Sequence, residues 1–131
     1  MSIARTSKKK QITTPQHAYP SGLTVEPIEM PTGINILGKP FTVLCEEANE
    51  TPSSPLDRGD MGACAQALLR IYVRAGFPLH TQQDTLLHET LHAISDELQL
   101  DMAERQVATT ATVLLDTLRR NPQLAAYLLQ P

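Results

Sequence analysis

The chain predicts an α+β fold: a small antiparallel sheet, then a long helix, then a second helix packed beside it. Three observations carry that expectation. Short β-prone runs occupy the first half, strong helical periodicity occupies the second, and 131 residues suit one hydrophobic core. Hydrophobic residues make up 41% of the chain but aromatics only 4%, so the core must come from Leu, Ile, Val and Ala.

Residues 1–22 are polar and basic, contain Pro15 and Pro20, and have no helical or alternating pattern; they read as an arm that a partner would order. Residues 23–131 read as one domain. In INILGKPFTVLCEE the runs Ile34–Leu37 and Phe41–Cys45 predict a hairpin, with Pro40 in the turn where it costs no ladder bond. NETPSSPLDRGD is a loop by composition. MGACAQALLRIYVR predicts a second strand pair, about Gly62–Cys64 and Leu69–Val73. There Ile71 and Val73 share one face, and Arg70, Tyr72 and Arg74 the other.

Thr81 is placed to cap the helix that follows, with Asp84 three residues on. Leu87, Leu91, Ile94 and Leu98 recur at helical period and predict the buried stripe of that helix. A break is expected at Gln99-Leu100-Asp101. Asp101 then opens a second helix with Glu104 in capping-box position, and Val107, Ala111, Leu114 and Leu118 form its stripe. Asn121-Pro122 starts a short last helix through Leu124, Tyr127 and Leu128.

Charge is unevenly spread. Of 11 basic residues, Arg5, Lys8, Lys9 and Lys10 stand in the first ten positions, leaving seven against all 14 acids. A basic arm on an acidic body can reach for nucleic acid, for an acidic partner or for its own body. Nucleic acid is not expected, because the body offers no basic stripe or base-stacking aromatics. No apolar run approaches the roughly 20 residues that cross a bilayer, and the N-terminus lacks the apolar region of a secretory signal. Cys45 and Cys64 are too few for a disulfide scaffold and read as buried apolar residues on neighbouring strands.

One stretch carries chemistry: TLLHETLHAI, residues 85–94, holds two of the four histidines on one turn of the first helix. Residues four apart on a helix stand about 5–6 Å from each other at the backbone. His88 and His92 can therefore converge on one ion at the Zn–N distance of about 2.0–2.1 Å. Glu89 lies beside such an ion but points past it, as a general base for metal-bound water would. A catalytic zinc takes a third protein ligand and keeps its fourth position open. Asp96 is a turn along the same straight helix, where ligands converge poorly. Glu104 on the second helix would fold back beside the first, and is the expected third ligand, with Asp101 and Glu97 as alternatives. His80, near the start of the helix, and His17 are not expected to take part. Without a metal, His88 and His92 would simply be surface histidines pairing with Glu89 or Asp96.

TLLHETLHAISDELQLDMAERQVATTATVLLDTLRRNP resembles the C-terminal half of short HExxH proteins encoded by bacteriophages and prophages. Those are similar to minimal zincin-type metallopeptidases, with SprT-like zinc peptidases more distant. Ala103-Glu104-Arg105-Gln106-Val107 stands at the start of the family's second helix and Arg120-Asn121-Pro122 at its end. The resemblance spans roughly residues 58–125. It departs at Ala103, where a polar cap is expected. It implies His88, His92 and Glu104 as zinc ligands, Glu89 as general base, a protein or peptide substrate, and the cytoplasm of a bacterial host. In zincin-type folds an edge strand near the cleft pairs with extended substrate. Leu69–Val73 is the expected edge, with Tyr72 a candidate donor to the oxyanion. The competing expectation is an interaction or virion-associated protein that uses the metal as a structural clip, or binds none.

Overall fold

The computed structural model describes residues 27–47, 55–57 and 59–131. The expected arm and His17 lie outside that range. The described residues divide into two compact units, one of Met30–Thr117 and one that includes Leu118–Pro131. Every candidate site residue belongs to the first.

The architecture is α+β, with strands β1 (Gly33–Ile36), β2 (Lys39–Glu46), β3 (Gly62–Ala65) and β4 (Arg70–Arg74), then helices α1 (Leu79–Leu98), α2 (Glu104–Arg120) and α3 (Pro122–Leu129). The sheet runs β1-β2-β4-β3, with β2 and β4 parallel and the other pairs antiparallel, so it is mixed rather than antiparallel. A parallel pair needs a connection of about a dozen residues or more. The path from Glu46 to Arg70 supplies that length and lays β3 outside β4. The expected edge, β4, is therefore internal, and β3 holds the edge instead.

The first hairpin forms, but its turn is Leu37-Gly38, with φ of 52° and 88°, and Pro40 lies inside β2 opposite Asn35. Two positive φ values match the right-handed twist of the flanking strands, and Gly38 accommodates its own at no steric cost. The Asn35 side chain braces the turn by accepting the Gly38 N–H at 2.8 Å. Pro40 costs no ladder bond, because pairing of β2 with β4 begins only at Thr42.

Ile36, Phe41, Val43, Ile71 and Val73 form the core with Ala93 of α1. Successive strand residues face opposite ways, so Tyr72 points to the sheet face away from α1. It is buried there at 2% exposure, with its hydroxyl 3.4 Å from Nη1 of Arg70. The expected oxyanion donor is on the wrong side of the sheet. The cysteines also depart from expectation. β4 separates their strands, Cys45 is exposed, and Cys64 is half-buried.

The long helix forms where periodicity placed it, but its buried face differs. Thr85, Glu89, Ala93 and Ser95 are buried, whereas Leu98 is 52% exposed and Leu87, Leu91 and Ile94 are half-buried. The cause is close approach to the sheet. A Cβ at Gly62 would lie 2.5 Å from Cγ2 of Thr85 and 2.8 Å from the Tyr72 carbonyl oxygen, so α1 rests on the bare glycine with its short side chains inward. Helix α1 starts at Leu79 behind Pro78, placing His80 and Thr81 inside it rather than before it. Helix α2 starts at Glu104, with Gln106 Oε1 accepting the Ala103 N–H at 2.8 Å in place of an Asp101 cap. Its stripe is buried only at Val107 and Ala111, and Leu114 stands 41% exposed. Asn121 and Pro122 open α3 as expected. No helix of the described residues is long and apolar enough to cross a membrane.

Candidate metal centre

Helix α2 runs back along α1. Met102 N–H meets Ser95 Oγ at 3.0 Å, Glu104 meets His92 at 2.7 Å, and Thr112 Oγ1 donates to Asp84 Oδ1 at 3.0 Å. Each step forward on α2 is a step backward on α1, the signature of an antiparallel helix pair. This return brings the first residue of α2 over the histidine turn of α1.

The Glu104 carboxylate spans both imidazoles, with Oε1 2.7 Å from His92 Nε2 and Oε2 2.9 Å from His88 Nε2. The rings thus aim the same nitrogen at one point, with centroids 4.8 Å apart in an edge-to-face arrangement. Ligand atoms of His88, Glu89 and His92 all lie within 4.8 Å of one another, a grouping that can hold a metal ion. Between the carboxylates the geometry discriminates. Glu104 touches both Nε2 atoms, whereas the nearest approach of Glu89 is 4.0 Å, to His88. Glu104 stands where a third ligand would, and Glu89 beside it.

Glu89 is on the buried face of α1, only 7% exposed. Burial raises its carboxyl pKa to about 7, with Glu104 and Asp60 adding to the rise and His92 opposing it. A carboxyl that exchanges its proton near neutral pH suits a general base. Cys64, nearby on β3, is pushed to about 11 by burial and by Glu89 and Asp96, so it stays a thiol at neutral pH in the metal-free protein.

The alternative third ligands are elsewhere. Glu97 binds Lys39 Nζ at 2.8 Å and Gln66 Nε2 at 3.0 Å, and Asp96 and Asp101 are exposed outside the cleft. His80 is exposed in the first turn of α1 and lines no part of the cleft either. The cleft itself holds about 520 Å³, bounded by residues 59–62 on one side and by α1 and Glu104 on the other. Its described charged walls are all acidic: Asp60, Asp84, Glu89 and Glu104.

Sequence reasoning missed Gly62, Asp60 and Ser95. Gly62 sits in alanine-rich text that does not reveal a close helix approach, and Asp60 sits in loop text. Ser95 is an isolated serine late in a helix, which ordinarily marks nothing. Compared with known proteins, the chain matches no family model, no curated protein and no solved structure.

Proposed function

We propose that the protein is a zinc-dependent metallopeptidase of the zincin type, phage- or prophage-encoded and acting on a protein inside the bacterial host. One observation carries the reading. Two imidazole nitrogens from α1 and a carboxylate from α2 converge, while a second carboxylate of raised pKa is buried alongside. Two histidines and one carboxylate are a zinc donor set that leaves a coordination position open.

His88, His92 and Glu104 would hold the ion. When bound, zinc supplies Lewis-acid polarisation of the scissile carbonyl and a water acidified toward neutral pH. Glu89 takes the proton of the attacking water and returns it to the leaving amine. Burial raises its pKa in the metal-free protein, and a cation bound alongside would favour the ionised form that accepts the proton. The open edge of β3 offers its backbone to an extended peptide, and Gly62 brings that edge against α1. Acidic walls favour a substrate with Lys or Arg near the cleaved bond.

The test is metal content and cleavage together. Purified protein should carry about one zinc per chain and cleave an unfolded basic protein or Lys-rich peptide. Glu89→Gln should keep the zinc and lose at least a hundredfold in rate. A zinc-loaded protein that cleaves nothing offered, or a Glu89→Gln variant as active as the parent, would reject the peptidase reading.

A further inference from the structure

We propose that Ser95 is a positioning residue for the metal centre: its buried hydroxyl fastens the α1–α2 turn and so holds Glu104 against His88 and His92. This inference rests on the metal-site reading above, but not on peptide hydrolysis.

Glu104 is poorly held by its own surroundings. Its side chain is 69% exposed, and its hydrogen-bonding partners among the described residues are the two imidazoles. Its place is therefore decided by the backbone that delivers it. That backbone is not one the local sequence favours. Gln99 and Asp101 both adopt left-handed φ of 54°, which costs a non-glycine residue roughly 1 kcal/mol. Two such residues within three positions need tethers from outside the turn.

Ser95 supplies them. Its carbonyl accepts the Leu100 N–H at 2.9 Å, and its Oγ accepts the Met102 N–H at 3.0 Å. The second bond is the informative one. Hydroxyl residues inside helices commonly bond back to the carbonyl four residues earlier. Thr90 does so to Leu86, and Thr117 to Val113, each at 2.7 Å. Ser95 Oγ reaches forward instead, out of α1 and across the turn. It is only 3% exposed, so water offers Met102 little substitute. Ser95 lies three residues after His92 and Met102 two before Glu104, so this one bond links the helix of two ligands to the start of the helix carrying the third. Ala103 completes the brace through Gln106, but that contact only joins the residue before α2 to its first turn and cannot place it on α1.

Removing the hydroxyl while keeping the fold should let the start of α2 drift and weaken the third ligand. The experiment measures zinc affinity by chelator competition in the full chain for wild type, Ser95→Ala, Glu104→Ala and the double variant. It adds the visible spectrum of the cobalt-substituted proteins. Ser95→Ala should bind zinc roughly tenfold to a hundredfold more weakly, as removal of supporting contacts to ligands does elsewhere. Its cobalt spectrum should move toward that of Glu104→Ala. The double variant should bind no more weakly than Glu104→Ala alone, because the hydroxyl acts only through that ligand. Should Ser95→Ala not fold, Ser95→Cys keeps the shape with a weaker acceptor and carries the same expectation.

Zinc affinity and cobalt spectrum unchanged in Ser95→Ala would overturn the proposal, and so would losses that add in the double variant. A site that depends on Ser95 in a protein that cleaves nothing would support it while defeating the peptidase reading. A wild-type protein that binds neither zinc nor cobalt would overturn both.

Discussion

Replacing Glu89 by Gln should change how the stability of the metal-free protein depends on pH. The unfolded chain holds this carboxyl at its ordinary 4.5, whereas burial in the native state holds it at about 7. Below pH 4.5 the group is protonated in both states and contributes nothing. As pH rises, the unfolded chain releases its proton first, so stability falls steadily until the native carboxyl also ionises. Above pH 7 both states are ionised, and the native state carries the whole cost of the buried charge. At about 1.4 kcal/mol per pH unit, a gap from 4.5 to about 7 amounts to about 3 kcal/mol. The residue is 7% exposed, so solvent does little to screen that cost. The assay is denaturant unfolding of chelator-treated wild type and Glu89→Gln from pH 4.5 to 8.5, because the difference between the two curves cancels most other titrating groups. Wild type should lose about 3 kcal/mol relative to the variant across that range. The amide adds only an offset that does not vary with pH. Parallel curves would refute the reasoning, because they would mean that Glu89 ionises as freely in the native state as in the unfolded chain.

Gly62→Ala should destabilise the fold by about 2 kcal/mol in thermal or denaturant unfolding, since the new Cβ meets Thr85 and a backbone carbonyl that cannot retreat. Combining it with Thr85→Ala should recover only part of the loss, because the Tyr72 oxygen remains in the way. Val107→Ala should cost about 2 kcal/mol, and should also weaken zinc binding in chelator competition, because fully buried Val107 anchors the turn of α2 that carries Glu104. Glu97→Gln should leave zinc affinity unchanged and cost less than about 1 kcal/mol, because its partner Lys39 is half exposed.

The helices were legible because each rule that names them is local. The break at Gln99, the Asn121-Pro122 start and the His88/His92 spacing all depend on neighbours within a turn or two. Glu104 was reachable for the same reason, since a short break between two helices returns the second beside the first. The sheet was less legible. Strand order depends on where the 47–61 connection travels, and nothing in its composition says that β4 will pass between β2 and β3. The face of α1 was misread for a related reason. Periodicity finds the leucine edge, but which edge meets the sheet depends on how near the helix can come. That distance is set by Gly62, from a different element, and it turns Glu89 inward. Tyr72 was lost for a simpler reason, because strand alternation puts it on the face of β4 opposite Ile71 and Val73, away from α1.

The inward turn of Glu89 ties fold to site. A helix resting on its leucines would leave Glu89 nearer solvent, with an ordinary acid strength and little use as a base near neutral pH. Resting on Gly62, α1 instead presents Thr85, Glu89 and Ala93 to the sheet and carries a carboxylate into a cleft that already holds Asp60 and Glu104. The metal-free protein bears that electrostatic cost above pH 4.5, and His92 offsets only part of it. A divalent cation between His88, His92 and Glu104 offsets more, by favouring the ionised form of Glu89. Its binding should therefore release a proton near neutral pH and tighten as pH rises through 7, beyond what the histidines alone require. The comparison is proton release on zinc binding by wild type and Glu89→Gln in buffers of different ionisation enthalpy. Equal release from the two would mean that the glycine contact buries Glu89 for packing alone.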